Sequence, residues 1–369
     1  MPEIDPEKIL LFREECARHF DPETGELKHA LKLSACPVCD SKKLKHEFTL
    51  QGFRYLRCTG CRFMFVNPRL NDIGSAEFYN SPFYNALVES EYHRVQNDDE
   101  LYYSSSVESS ELMEMIVGTV GRIVEKDARI LDVGCGGGAL LRLLRDRLGL
   151  TNLLGIDLNG KAARFAREVR GVNVIHGDAK HDLQGQKFDL VLSIESIEHM
   201  NDFDDYMQML LASLVPGGQV LITTPRNSRL ACFLFGHAAD GYMAPNHINF
   251  FNDKNLKRYL ERFGLRVTEL QMLSSARSPG LLYRRFLADS EYVAYRPPVS
   301  GPSWVILPRN LRGDVRRYIR DRYAYVANGA PSGEVSSPSQ SGGPSLLRRL
   351  VSLFSIPIKT NMLIVARKD

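Results

Sequence analysis

With 369 residues, of which 44% are apolar and 25% charged, the chain can bury a full α/β core and has length left for accessory modules. A net charge of +3 excludes the strong basic excess of a protein that lives on nucleic acid or an anionic membrane, and so names no partner. Glu3, Asp5 and Glu7 stand where a secretory leader would be basic and then apolar, and Arg348, Arg349 and Pro357 break the most apolar run near the C-terminus, so neither export nor a membrane span is expected.

In chain order, residues 1–34 read as a leader helix, with Asp5 and Pro6 as the start signal and Ile9, Leu10, Phe12 and Cys16 at helical spacing. Residues 35–70 carry Cys36-Pro-Val-Cys39 and Cys58-Thr-Gly-Cys61 around an 18-residue spacer, within which Phe53 and Tyr55 alternate with Arg54 and Arg57. Two such pairs fit a closed tetrahedral structural zinc on a β-hairpin; a redox pair or free thiols is the alternative. Seven cysteines, four of them so arranged, suit a reducing cytoplasm better than a disulfide framework, and Cys16, Cys135 and Cys232 read as ordinary buried thiols. Residues 71–125 begin aromatic (Phe78, Tyr79, Phe83, Tyr84) and end in a helical pattern through Leu112, Met115, Ile116, Val120 and Ile123, which gives a cap and a lead-in helix.

From residue 126 apolar strands alternate with helices: 129–133, 153–157, 172–176, 188–193 and 219–223, then a helix at 255–263, a strand at 265–270 and a closing strand at 362–366. Alternation of this kind predicts a doubly wound, mostly parallel sheet built from 126–275 plus 361–369. The intervening 276–360 form a basic insert whose Ser/Gly/Pro-rich part, 330–345, reads as a disordered linker.

The segment 130–139, I-L-D-V-G-C-G-G-G-A, ends a strand and opens a helix. Gly134, Gly136 and Gly138 remove side chains where a ligand approaches the backbone, in front of free helix-terminal amides. That turn alone also fits a dinucleotide fingerprint, with Asp157 placed to hold a ribose. Three features separate the readings. Asp132 puts a carboxylate where a pyrophosphate loop would not and where a ligand amine would be welcome. His176-Gly-Asp178-Ala179 supplies a second acid at the next strand end, and Leu214-Val-Pro216-Gly217-Gly218 turns the chain into strand five.

At these residues the chain resembles the class I S-adenosylmethionine-dependent methyltransferase family, especially its small-molecule branch with the P-G-G turn. The resemblance implies an enzyme with a seven-stranded α/β sheet that binds S-adenosylmethionine. Asp132 and the three glycines would take the methionine end, Asp157 the ribose hydroxyls and Asp178 the adenine. Ala179 would line the adenine pocket, and Leu158 and Glu195 would add further cofactor contacts.

Strand four runs into S-I-E-S-I-E-H, which holds Glu195, Glu198 and His199; Asn246-His247-Ile-Asn-Phe250 follows strand five at a distance. A helical turn beginning after strand four would put Glu195, Glu198 and His199 on one face, at the crevice of the sheet. Three readings stay open. His199 or His247, with Glu198 beside them, is a general base for a hydroxyl proton. Alternatively Glu195, Glu198, His199 and His247 ligate a divalent ion. In the third reading Glu195 holds cofactor, Glu198 faces solvent and His199 caps a helix. The cluster is similar to that of metal-dependent O-methyltransferases of quinone biosynthesis and small-RNA end capping, in which Mg²⁺ would lower the pKa of a bound hydroxyl; two imidazoles equally suit Mn²⁺ or Zn²⁺. Phe250 and Phe251 read as core or pocket wall, and Asn252 or Asp253 as the cap of the next helix.

The run from Cys58 to Arg69, followed by the aromatic stretch, resembles N-terminal zinc ribbons fused to methyltransferases of bacterial glycan and natural-product pathways. Asp40 and Arg62 depart from it, standing where these ribbons favour glycine, so slightly altered knuckle turns are expected. Lys42, Lys43, Lys45, Arg54, Arg57 and Arg62 could grip RNA, but no stacking-aromatic array accompanies them, which favours a solvated basic face. Arg309, Arg312, Arg316, Arg317, Arg320 and Arg322, and the amphipathic stretch 346–356, either dock on the parent domain or lie on an anionic membrane surface. The overall expectation is a cytoplasmic O-methyltransferase of a small metabolite, saccharide or lipid-linked glycan intermediate. The alternatives are an RNA methyltransferase and a non-catalytic binding module.

Overall fold

The computed structural model describes residues 12, 14–84, 107–227, 243–277, 292–295, 305–308 and 356–368. The leader start at Asp5 and Pro6, Cys232, the arginine-rich stretch and the 330–345 linker lie outside the described residues. Residues 14–18 are helical. The N-terminal part then gives β1 (Ala30–Leu31), β2 (Leu44–Leu50), β3 (Phe53–Cys58), β4 (Met64–Val66), β5 (Arg69–Leu70) and α1 (Asp72–Tyr79). The lead-in helix is α2 (Val107–Ile123). After it come β6 (Ile130–Val133), α3 (Ala139–Leu148), β7 (Leu153–Asp157), α4 (Gly160–Glu168), β8 (Val174–His176), α5 (Ala179–Asp182) and β9 (Phe188–Ile194). A 3₁₀ turn, Ile197–His199, leads to α6 (Phe203–Ala212), β10 (Leu214–Pro225), β11 (Asn249–Phe250), α7 (Asp253–Arg262) and β12 (Leu265–Arg277). β13 (Tyr292–Tyr295) pairs antiparallel with β14 (Val305–Pro308), and β15 (Ile356–Lys368) closes the chain.

The main sheet has seven strands in the order β12-β15-β10-β9-β6-β7-β8. β8, β7, β6, β9 and β10 are parallel; β15 runs antiparallel between β10 and β12. The expectation of a mostly parallel seven-stranded α/β sheet therefore holds. β6 is central, and all four of its residues are buried, as a strand covered on both faces must be. Outward from β6 the chain winds one way through β7 and β8 and then the other way through β9 and β10. The crevice at the switch lies at the carboxyl ends of β6 and β9. Asn159, Asp202 and Asn252 cap α4, α6 and α7 by accepting from backbone amides of the first turn.

The cysteine module is not an appendage. Its antiparallel sheet has the order β11-β4-β3-β2, so a strand from beyond β10 joins it as an edge. Phe63 and Phe65, both fully buried, pack in one core with Phe203, Phe251 and Tyr259 from the main domain. The Phe63 and Phe251 rings are 4.7 Å apart. Each such ring contributes roughly 2–3 kcal/mol by leaving water, which ties the two parts together.

Candidate active site

At the carboxyl end of β6 the chain turns through Gly134, Gly136 and Gly138, all left-handed with φ of 75°, 52° and 76°. They do different work. A Cβ on Gly138 would stand 2.6 Å from Val172 Cγ2 and 3.0 Å from Ala166 Cβ, so close packing of α3 on α4 requires glycine there. A Cβ on Gly136 would meet nothing within 4 Å, leaving a cradle open to a ligand. Asp157, at the tip of β7, accepts from the Gly136 amide at 2.8 Å and the Asn159 amide at 2.7 Å. Asp132 is buried at 2% exposure and its Oδ1 has no partner. Burial and the charge of Asp157 push its carboxyl up to about 7. Asp178 is exposed and caps α5 through the Lys180 amide at 2.9 Å, with Ala179 half-buried beside it. Leu158, 75% exposed next to Asp157, offers an apolar lip of the kind a flat ring covers. An unpaired buried carboxylate oxygen beside an open glycine cradle fits a ligand that carries an ammonium and a sulfonium.

The reacting edge lies at the end of β9. Glu195 does not share a helical face with Glu198 and His199. It takes φ 47°, a left-handed conformation that costs a residue with a Cβ about 1–2 kcal/mol, and the 3₁₀ turn starts only at Ile197. Its amide donates to the Thr223 carbonyl and hydroxyl, both at 3.1 Å, which holds the kink against β10. Its Oε2 accepts from Asn361 Nδ2 at 3.1 Å and Oε1 is buried without a partner. Burial and the charge of Glu198 raise its pKa.

Glu198 is 1% exposed rather than facing solvent; Oε2 accepts from the Thr224 hydroxyl at 2.9 Å and Oε1 is unpaired. Burial pushes it up to about 8. His199 Nδ1 lies 2.9 Å from the Asn246 carbonyl, which only accepts, so the neutral ring carries its proton on Nδ1 and its lone pair on Nε2. Burial lowers its pKa against the carbonyls of Asn246 and Glu195, which favour the charged ring. The His199 and His247 rings meet edge to face at 4.9 Å. Glu198, His199 and His247 each offer a ligand atom, all within 4.8 Å of one another. Glu195, counted with them from sequence, is not in that group.

Sequence reasoning gave no role to Thr223, Thr224 or Asn361, whose polar groups read as ordinary strand residues until β10 and β15 bring them to the crevice. Tyr79 was noted only as aromatic. Burial, then the charges of Tyr84 and Glu198, raise its pKa, which sets its hydroxyl within the field of the Glu198 carboxylate. Asp72 and Ser75, on the same face of α1, accept from Asn201 Nδ2 at 3.1 and 3.2 Å just beyond His199. α1 thus lies against the segment that follows His199.

Cys36, Cys39, Cys58 and Cys61 converge, with Sγ atoms 3.5 Å apart for Cys36 and Cys61 and 3.6 Å for Cys39 and Cys58. A tetrahedron with Zn–S bonds of roughly 2.3 Å has edges of roughly 3.8 Å, so the set fits zinc. The contact between Cys36 and Cys61 holds the Cys61 thiol below its ordinary value while Cys36 rises. Both knuckle turns form without glycine: Asp40 and Arg62 adopt φ of 56° and 65°, and their amides donate to the Cys36 and Cys58 carbonyls at 2.8 and 3.0 Å. Arg57, counted as free basic charge from sequence, pairs with Glu47 at 2.8 Å. Cys16 is buried, as expected; Cys135 is only partly so. No described helix is long and apolar enough to cross a membrane.

A family model described as a methyltransferase domain matches residues 111–270. A ubiquinone biosynthesis O-methyltransferase of Sinorhizobium fredii is 30% identical over 156 residues, 39% of this chain and 62% of that protein. The protein of the same description from Rickettsia bellii is 26% identical over 196 residues, covering 51% of this chain and 78% of its own length. A solved S-adenosylmethionine-dependent methyltransferase from Archaeoglobus fulgidus aligns at 18% identity over 69% of this chain and 94% of that one, with a TM-score of 0.39. The chain spans less than two thirds of the Sinorhizobium protein, and the family match leaves out the four-cysteine module.

Proposed function

We propose that this chain, which belongs to the class I S-adenosylmethionine-dependent methyltransferases, methylates a hydroxyl of a small metabolite, saccharide or lipid-linked glycan intermediate. The observation that carries the reading is the cluster of Glu198, His199 and His247 within 4.8 Å at the same sheet edge as the Asp132 and glycine cradle. Bound S-adenosylmethionine would supply an activated methyl on sulfur. Asp132 would neutralise its ammonium, Asp157 would take the ribose hydroxyls, and Asp178 with Ala179 and Leu158 would frame the base.

A hydroxyl nucleophile must lose its proton as the methyl arrives, and His199 or His247 is placed to take it. The cluster also suits a divalent cation such as Mg²⁺ or Mn²⁺, held by Glu198, His199 and His247, which would make the hydroxyl more acidic. The description of the ubiquinone-biosynthesis relatives as O-methyltransferases supports oxygen as the acceptor atom. The four cysteines would hold a structural zinc, and thiols kept for a metal suit a reducing cytoplasm.

Nucleic acid is the poorer substrate reading. Phe63 and Phe65 are buried under the main domain instead of forming a stacking face, and Arg57 is engaged by Glu47. The basic insert would bring the enzyme to a membrane-borne substrate; liposome flotation with and without 276–360 tests this, and equal recovery in the soluble fraction would remove it. The test of the activity is incubation with methyl-labelled cofactor and separated small-molecule, lipid and RNA fractions. Label is expected in the first or second and absent with His199→Ala. Label in RNA would favour the rival reading, and label in no fraction would refute transfer.

A further inference from the structure

Arg69 is an unusual place for a charge. It sits in β5, at the exit of the cysteine module, with no solvent exposure. Burial alone is what perturbs it, lowering its pKa to about 9, and no described carboxylate pairs with it. A buried cation without a counter-ion is costly and persists only where its hydrogen bonds hold something in place. Its Nε donates to the Val66 carbonyl at 3.3 Å and its Nη1 to Asn249 Oδ1 at 3.1 Å and the Asn201 carbonyl at 3.5 Å, while Nη2 is buried without a partner.

What these acceptors belong to is the second observation. Asn249 lies two residues after His247, and Asn201 two residues after His199. Asn249 itself turns its Nδ2 to the Met200 carbonyl at 2.7 Å and the Ile197 carbonyl at 3.4 Å, closing the 3₁₀ turn that carries Glu198 and His199. Backbone bonds complete the frame: the Val66 amide donates to the Ile248 carbonyl at 2.9 Å, and the Ile248 amide to the Glu198 carbonyl at 3.0 Å. One guanidinium thus grips the cysteine module, the 3₁₀ turn and the His247 segment at once.

We infer that Arg69 is a positioning residue, through which the four-cysteine module fixes the His199 turn against the His247 segment; this rests on the proposed role of those histidines. In that arrangement the module is a structural half of the acceptor site and not a recognition arm attached to it. The cofactor edge, with Asp132 on β6 and Asp157 at the tip of β7, makes none of these bonds and should be indifferent to Arg69.

The test needs no substrate and uses the full chain. Arg69→Met, Arg69→Lys and Asn249→Ala are compared with the parent by zinc content, by calorimetry with S-adenosylhomocysteine, by amide hydrogen exchange and by ¹⁵N imidazole spectra at one pH. Arg69→Met is expected to keep one zinc per chain and cofactor-product affinity within about twofold. It should lose the Nδ1–H signature of His199 and at least tenfold of the exchange protection at the Ile248 amide; Arg69→Lys should recover part of both. Asn249→Ala, which leaves the buried charge in place, should reproduce the His199 change and serves if Arg69→Met does not fold. Unchanged His199 spectra and Ile248 protection in a folded variant of either residue would overturn the inference. Failure of the parent to bind the cofactor product would instead count against the methyltransferase reading.

Discussion

The amide of Gly136 donates to Asp157 Oδ2 at 2.8 Å, so the acid at the tip of β7 holds the loop at the tip of β6. This bond sets the cradle before any ligand arrives, and a hydrogen bond to a charged group is worth about 1.5–3 kcal/mol. Asp157→Ala is therefore expected to weaken S-adenosylhomocysteine binding by roughly 10- to 100-fold, read by calorimetry, because both the loop anchor and the proposed ribose acceptor go. An affinity within twofold of the parent would contradict this assignment.

Gly136 and Gly138 make a matched pair. Gly138→Ala drives a methyl to 2.6 Å from Val172, so it should lower the thermal midpoint by several degrees. Gly136→Ala meets no protein atom and costs only its backbone strain, about 1–2 kcal/mol, yet it should abolish cofactor binding by filling the ligand's space. Calorimetry and thermal melts on the two variants separate packing from binding.

The pH dependence follows from Asp132. Its folded-state pKa is raised from 3.8 to about 7. The stability this group contributes is thus present below its unfolded value and is lost as pH rises from about 4 to about 7, so the ligand-free protein should weaken across that window and level off above it. Cofactor binding should run the other way, since the proposed contact of Asp132 with the ligand's ammonium needs the ionised acid. Affinity should fall by up to about tenfold per unit as pH drops below 7, with proton release on binding, and Asp132→Asn should flatten the profile at low affinity.

His199→Ala should remove turnover while leaving cofactor affinity close to the parent's, because the ring touches the Asn246 carbonyl and His247 rather than the glycine cradle. Steady-state rates with the acceptor found by labelling, set beside calorimetry, check both halves. Full activity would retire the general-base and the metal roles together.

Arg62→Gly should stabilise the protein. The knuckle turn demands φ 65°, a conformation that charges arginine about 1–2 kcal/mol, part of which glycine returns as chain entropy. A net gain of about 1 kcal/mol in denaturant unfolding is expected, with zinc content unchanged.

The parallel core was legible from sequence because buried strands such as β6 and β7 are short, mostly apolar runs with an acid, Asp132 or Asp157, at or next to the carboxyl end. Strand lengths were less legible. β12 and β15 pair through Arg277 and Ile356, far past the apolar stretches at 265–270 and 362–366, because a two-stranded extension is held by backbone bonds that need no apolar alternation. The kink at Glu195 was invisible, since spacing alone suggested a helical face. It exists because Thr223 on the neighbouring strand captures the Glu195 amide, a long-range bond with no local signature. Arg69 reads as one more basic residue of the ribbon until its three acceptors, from three segments of the chain, are seen together.

Isothermal titration of the purified chain with S-adenosylhomocysteine at pH 8 tests the central claim most directly. The account predicts one site per chain, lost in Gly136→Ala and weakened in Asp157→Ala. No detectable heat with a correctly folded, zinc-loaded protein would contradict it.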